Sequence, residues 1–206
     1  MRRRIVLGLA LTTLFPAAGS AHRLDEFLHA TRVALEPQSI RLELELTPGS
    51  SIARSVVNRI DVDHDQRVSG DEAESYARLV LRDVSVWLDG TALDLRLQHV
   101  EVATPEELLA GMGAIRMVAT RTMVPTLGRH QLKLRNNHET ARAVYLMNAL
   151  VPETDDIIIT AQSRDGRQQE FSIDYEVRSS PSQLWWILPL CLSVGTFGAR
   201  RLRERL

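Results

Sequence analysis

The chain has a single cysteine, Cys191, among its 206 residues, so no disulfide can form within it. Aromatic residues are also scarce, at 5% of the chain, whereas the apolar fraction of 44% is ordinary for a globular protein. The folded part must therefore be stabilised by a core of aliphatic side chains, without covalent cross-links.

The sequence also lacks the local signatures of common catalytic sites. It contains no Gly-x-Ser-x-Gly nucleophile elbow, no phosphate-binding loop and no His-Glu-x-x-His zinc motif. We therefore expect that the protein is not an enzyme.

The first 21 residues have the pattern of a secretory signal peptide. Three arginines at residues 2–4 precede an apolar run over residues 5–14, and small residues at 19–21 suit a signal peptidase. The pattern predicts a leader over residues 1–21 that is cleaved after Ala21. A retained N-terminal anchor is the alternative interpretation.

The C-terminal residues have the pattern of a membrane anchor. Residues 184–199 are uncharged and mostly apolar, Trp185 and Trp186 stand at the start of this run, and four arginines follow it. A buried core helix and a sorting signal that a sortase-like protease removes are the alternatives. The predicted segments are a periplasmic ectodomain (22–178), a linker (179–183), a transmembrane helix (184–199) and a cytoplasmic basic tail (200–206). This organisation predicts a single-pass protein of the inner membrane.

The predicted ectodomain is acidic, although the whole chain has a formal charge of only −1. Three of the 25 basic residues fall in the leader and four in the tail, while the tail holds one of the 26 acidic residues, Glu204. The 18 basic and 25 acidic residues that remain give a charge near −7. This charge argues against a nucleic-acid partner and is compatible with cations or basic partners.

Most of the ectodomain alternates apolar and polar residues with a period of two, which is typical of strands with one buried face. Ile40, Leu42, Leu44 and Leu46 alternate with charged residues, and Asp89-Gly90 marks a tight hairpin. About nine such strands are predicted. The fold class is therefore mainly β (α+β), an antiparallel β-sandwich or two small β-layers.

On both sides of one acidic stretch, the spacing of apolar residues changes from that of a strand to that of a helix. Apolar residues recur at helical spacing over residues 50–60, where Ser50 or Ser51 would provide the cap, and again over residues 73–80. The sequence therefore predicts an EF-hand-like helix–loop–helix, inserted over residues 50–82 after the second strand.

The acidic stretch, "DVDHDQRVSGDE", has the ligand spacing of an EF-hand calcium loop. Calcium takes about six to eight oxygen ligands, and alternate residues of a turning loop can direct their oxygens at one centre. The predicted ligands, at loop positions 1, 3, 5, 7, 9 and 12, are Asp61, Asp63, Asp65, Arg67 through its carbonyl, Ser69, and Glu72 as a bidentate carboxylate.

Gln66 departs from the EF-hand pattern, because glycine usually occupies this sixth loop position. A residue with a side chain costs about 1 kcal/mol or more at a positive φ angle. We therefore expect weak calcium binding, with a dissociation constant of about 10⁻⁴ to 10⁻³ M. A solvated acidic loop that holds no metal is the alternative.

A second candidate metal site involves His22, which becomes the first residue if the leader is cleaved after Ala21. Its free amine and imidazole would suit a transition metal such as copper or nickel, with His29 as a third donor. The alternative is that both are ordinary histidines.

The stretch from "AHRLDEFLHATRVALEPQSIRLELELTPG" to "IDVDHDQRVSGDEAESYA" resembles the periplasmic N-terminal region of bacterial nickel/cobalt permease-like proteins and hydrogenase/urease accessory membrane proteins. The resemblance covers about residues 21–90 and is most specific in the acidic loop. It implies an accessory or sensing domain beside a metal permease. It does not imply transport, because those permeases continue into several helices and this chain has one predicted span.

Together these features predict a membrane-anchored, periplasmic calcium-binding module that supports or recruits an envelope protein. The alternative function is an accessory protein that presents nickel, cobalt or copper to a permease through His22. The two hypotheses depend on different residues, the carboxylates of the acidic loop in the first and His22 with His29 in the second.

Overall fold

The computed structural model describes residues 25–124 and 126–178. The predicted leader, His22, the linker, the transmembrane helix and the basic tail lie outside these residues. Within the described part of the chain, no helix has the length and apolar character needed to cross a membrane.

The described residues form ten strands and three helices. The strands are β1 (Phe27–Glu36), β2 (Ser39–Pro48), β3 (Val84–Leu88), β4 (Thr91–Leu93), β5 (Arg96–Val102), β6 (Ile115–Thr122), β7 (Gly128–Asn136), β8 (Ala143–Ala149), β9 (Ile157–Arg164) and β10 (Glu170–Val177). The helices are α1 (Ser50–Ile60), α2 (Gly70–Arg82) and α3 (Pro105–Leu109).

The strands form two five-stranded sheets, as expected for a β-sandwich. One sheet has the order β5-β6-β2-β1-β8 and the other has the order β4-β3-β7-β10-β9. The core lies between their inner faces, and β2 shows why: Ile40, Leu42, Leu44 and Leu46 are all buried, while the residues between them are not. The predicted two-layer β architecture is confirmed.

The prediction of purely antiparallel sheets is wrong for one pair, because β8 runs parallel to β1. After β7 the chain crosses from one sheet to the other and enters β8 beside the first residue of β1. Phe27 therefore pairs with Ala143, the first residue of β8. A strand that enters by crossing between sheets takes its direction from the crossing, whereas a hairpin always produces an antiparallel pair.

The segment after the Asp89-Gly90 hairpin forms two strands that belong to different sheets. β4 pairs with β3 in one sheet, whereas β5 pairs with β6 in the other. Asp94 and Leu95 separate the two strands, because the chain crosses between the sheets at this point.

Helices α1 and α2 lie where the sequence predicts them, and each buries one apolar face. Ile60 and Val80 are fully buried at the ends of these faces. The predicted serine cap is wrong, because α1 is preceded by Gly49 as its N-cap. The Gly49 amide donates to the carbonyl of Glu26 at 2.8 Å, which holds Gly49 outside the helix.

The sandwich has two distinct ends. The helix end is where β1 begins at Phe27, β2 finishes at Pro48, and α1 and α2 connect the two sheets. The exit end is where β6 finishes at Thr122 and where Val177, the last residue of β10, pairs with Gly128. Since β1 has ten residues, the two ends are separated by about 33 Å.

Candidate metal site

The acidic loop lies at the helix end, between the buried end of α1 and the first turn of α2. Ile60 is fully buried, and Asp61, which follows it, is only 5% exposed. On the other side, Ser69 and Glu72 form a capping box that starts α2. Both ends of the loop are therefore fixed by helices that pack into the core.

Three of the predicted ligands come together. Asp61, Asp63 and Asp65 each offer a carboxylate oxygen, and these oxygens all lie within 4.8 Å of one another. Among the described residues, no other group of three or more His, Cys, Asp or Glu has its ligand atoms as close. Three carboxylates at this separation repel one another, and a divalent cation between them would relieve that repulsion.

Backbone amides of the loop hold these carboxylates in place. Asp61 accepts hydrogen bonds from the amide of Asp65 at 3.2 Å and from the amide of Gln66 at 3.1 Å. Asp63 accepts a second hydrogen bond from the Asp65 amide at 3.2 Å, and Asp65 accepts from Arg67 at 2.8 Å. The loop therefore wraps around its first aspartate.

Gln66 adopts the left-handed conformation that glycine takes at this position, with a φ of 67°. His64 also has a positive φ, of 60°. The chain turns at this position despite the side chain of Gln66. The cost is conformational strain of about 1 kcal/mol at such a residue.

Glu72 does not join the three aspartates in this structure. Its Oε1 accepts from the Val62 amide at 2.7 Å, and its Oε2 accepts from the amide and the hydroxyl of Ser69 at 2.9 and 2.8 Å. The hydrogen bonds from Ser69, and then the one from Val62, lower the pKa of Glu72 to about 2. Bidentate binding of calcium by Glu72 would have to replace some of these bonds.

The remaining two predicted ligands have known neighbours but no demonstrated role. The Ser69 hydroxyl donates to Glu72, and the amide of Arg67 donates to Asp65. Metal binding by the Ser69 hydroxyl and by the Arg67 carbonyl stays a prediction.

His29, the proposed third donor to a metal at His22, is fully buried between the sheets. Burial, together with the neighbouring His138, lowers the pKa of His29 to about 3. Its ring packs edge-on against Phe27 and Tyr145. An exposed chelate at the chain terminus would have to draw this imidazole out of the core, so the structure gives no support to the paired site.

The structure also contains a buried polar cluster that sequence reasoning missed. The rings of His29 and His138 stack 5.6 Å apart, and the Asn136 amide lies 3.5 Å from His29 Nδ1. His138 Nδ1 donates to Asp83 at 2.8 Å, while its Nε2 lies 3.4 Å from the Tyr76 hydroxyl. His29 and Asn136 are 107 residues apart in sequence, so no local spacing could reveal the cluster.

Two polar atoms beside this cluster have no hydrogen-bond partner among the described residues. They are His29 Nε2 and Thr31 Oγ1, both on the buried face of β1. His138 lies in the turn between β7 and β8, yet only 2% of it is exposed, because the helix pair covers it through Tyr76.

Comparison of the chain with models of protein families, with curated proteins and with solved structures found no match. The resemblance to the N-terminal regions of permease-like and accessory membrane proteins therefore stays a prediction.

Proposed function

We propose that this protein is a non-catalytic calcium-binding module of the periplasm, held at the inner membrane by its C-terminal span, which supports or recruits an envelope protein. A metal permease is one such partner. The function is carried by the loop between α1 and α2, and calcium acts there as a structural ion.

The observation that supports the proposal best is the convergence of carboxylate oxygens of Asp61, Asp63 and Asp65 within 4.8 Å of one another, in a loop that turns at Gln66 with a positive φ. Hard oxygen ligands at this spacing suit calcium, whereas copper and zinc sites use imidazole and thiolate ligands. The carboxylates of Asp63 and Asp65 are exposed, so the ion can enter directly from solvent and keep bound water.

A structural role follows from the position of the loop in the fold. The loop joins α1 to α2, and the helix pair covers the helix end of the sandwich. An ion bound there would stabilise the relative placement of the two helices. Calcium binding should therefore raise the free energy of unfolding of the whole ectodomain.

Thermal unfolding with increasing calcium tests this proposal. For a dissociation constant of 10⁻⁴ to 10⁻³ M, 10 mM calcium should add about 1.4–2.7 kcal/mol to the free energy of unfolding. This corresponds to a rise in Tm of about 3–10 °C for a domain of this size. The double variant Asp63→Asn with Asp65→Asn should remove the rise.

Asp71→Asn is the matched control, because Asp71 is an exposed aspartate in the first turn of α2, outside the group of three. This variant should keep the full calcium response. A parent protein whose Tm does not change at 10 mM calcium would contradict the proposal. An equal response in the double variant would show that calcium binds elsewhere.

A further inference from the structure

The exit end of the sandwich carries large apolar side chains that are exposed to solvent. Val124 is 86% exposed, Leu127 is 68% exposed and Val151 is 88% exposed. Val124 and Leu127 lie in the β6–β7 connection, and Val151 lies in the β8–β9 connection. Single exposed apolar side chains are ordinary, but three of them in two connections at one end of the fold are typical of a contact surface.

These connections lie at the same end as the point where the chain leaves the fold. Val177 pairs with Gly128, the first residue after the β6–β7 connection, and the amide of Arg178 donates to the Asp156 carbonyl at 2.7 Å in the β8–β9 connection. The next 28 residues include the uncharged run 184–199. Only a few residues therefore separate the exposed apolar tips from the predicted membrane span.

Described residues of the β6–β7 connection and of the strand after it are held by hydrogen bonds. His130 Nε2 lies 3.0 Å from the Thr126 carbonyl, and its Nδ1 lies 2.7 Å from Asp89. The Met123 amide donates to Gln38 at 2.8 Å. Val124 and Leu127 are thus presented from a loop that is held on both sides.

The charges at this end include both signs. Arg121, Arg129 and Arg178 are basic, and Glu36, Asp89, Glu153, Asp155 and Asp156 are acidic. Basic residues do not predominate, so attraction to anionic lipid is not what distinguishes this surface. The apolar side chains are the feature that favours a lipid bilayer.

We propose that the exit end of the sandwich rests on the membrane, with Val124, Leu127 and Val151 inserted at the boundary between the lipid headgroups and the acyl chains. This contact fixes the orientation of the ectodomain relative to the bilayer. The calcium loop, at the helix end, then points away from the bilayer by about 33 Å, toward partners in the periplasm. The inference rests on the C-terminal span of the proposed function and is independent of calcium binding.

Site-specific fluorescence on the full chain tests this proposal. The chain, expressed with its own leader and carrying Cys191→Ser, receives one cysteine at a time: Val124→Cys, Leu127→Cys or Val151→Cys. Each is labelled with an environment-sensitive dye and reconstituted into phosphatidylcholine vesicles that contain lipids with a quencher in the acyl chain. All three positions should show a blue-shifted emission and at least about twofold quenching, unchanged between 0.1 and 0.5 M salt.

Met112→Cys is the matched control. Met112 is 81% exposed and follows α3, which packs on α1 at the helix end. A dye at this position should not be quenched. The double variant Val124→Asp with Leu127→Asp should at least halve the quenching at position 151, whereas Met112→Asp should leave it unchanged. Both variants change exposed side chains, and circular dichroism verifies their fold.

The proposal is overturned if the three exit-end positions are quenched no more than position 112 while the chain floats with the vesicles. That result would support the C-terminal membrane anchor and would exclude contact between the exit end and the bilayer. A chain that does not float with the vesicles would overturn the anchor and the docking together, without affecting the calcium titration. Cross-linking between position 127 of two copies, without quenching by lipid, would assign the surface to a second copy and also overturn the proposal.

Discussion

The backbone amide of Val62 donates a hydrogen bond to the carboxylate of Glu72 at 2.7 Å. This bond links Glu72, the last residue of the acidic loop, to Val62, the second residue of the loop. The same carboxylate completes the capping box with Ser69. Glu72 therefore stabilises the closed loop before any metal ion is considered.

Glu72→Gln should lower the Tm at neutral pH, because the amide accepts more weakly than the carboxylate from Val62 and Ser69. The pKa of Glu72 is lowered in the folded state, so its contribution is present above about pH 4.5 and is lost as the pH falls toward about 2. Parent and variant should therefore converge in acid. Thermal unfolding at pH 7 and at pH 2.5 measures both effects.

Glu107 provides the matched control for this prediction. It forms the same capping box with Thr104 at the start of α3, but its carboxylate does not close a loop between two helices. Glu107→Gln should therefore lower the Tm less than Glu72→Gln does. Equal losses would show that the bond from Val62 contributes nothing beyond an ordinary cap.

Gln66→Gly should stabilise the protein by about 1 kcal/mol, because the left-handed conformation at this position costs a side chain about that much. Denaturant unfolding of the metal-free protein measures this change. Arg67→Gly, at the next position, should bring no such gain, since Arg67 does not have a positive φ. If the glycine at position 66 destabilises the protein, the loop does not have the described curl.

His29 should make the protein sensitive to mild acid. The pKa of this buried imidazole is about 3 in the folded state, well below the value of about 6.5 in an unfolded chain. Its contribution to stability is therefore complete above about pH 6.5 and is lost as the pH falls toward 3. Between pH 6.5 and 4.5 the free energy of unfolding should fall by up to about 1.4 kcal/mol per pH unit from this group.

His29→Leu should flatten the dependence of stability on pH over that interval, even if it lowers stability at pH 7 by removing the contact with Asn136. Urea unfolding at several pH values gives the slope. His99→Leu is the control, because His99 is exposed on β5, and this variant should keep the slope of the parent. An unchanged slope in His29→Leu would show that His29 is protonated in the folded protein.

His130 should behave in the opposite way to His29. The hydrogen bond to Asp89, followed by the one to the Thr126 carbonyl, raises the pKa of His130. The stabilisation from this histidine is therefore present below about pH 6.5 and is lost as the pH rises through its folded pKa. An NMR titration should place that pKa above 6.5, and Asp89→Asn should lower it. A value at or below 6.5 in the parent would contradict the described contact.

The local features of the fold were predictable because they depend on neighbours in sequence. The alternation along β2 and the apolar face of α2 correspond to buried faces in the structure. The parallel placement of β8 was not predictable, because the direction of a strand that arrives from another sheet leaves no periodic signal. The Gly49 cap was missed for a related reason, since it depends on the carbonyl of Glu26 in the chain before β1.

The candidate site likewise combines features that the local sequence predicts with features that depend on distant residues. The spacing of Asp61, Asp63 and Asp65 predicted their convergence, because alternate residues of a tight loop can face one centre. The same spacing did not reveal that Glu72 would accept from Val62. The His29–His138 pair could not be predicted at all, because the two histidines are brought together by the pairing of β1 with β8 and by the helix pair that covers them.

The most direct test of the central claim is a calcium titration followed by amide signals in an NMR spectrum. The amides of Val62, Asp65, Gln66 and Arg67 all donate to loop carboxylates, so an ion that takes those oxygens must shift them. We predict saturating shifts confined to the loop and its flanking turns, with a midpoint between about 0.1 and 1 mM calcium. Loop signals that stay unchanged to 10 mM calcium would contradict the account.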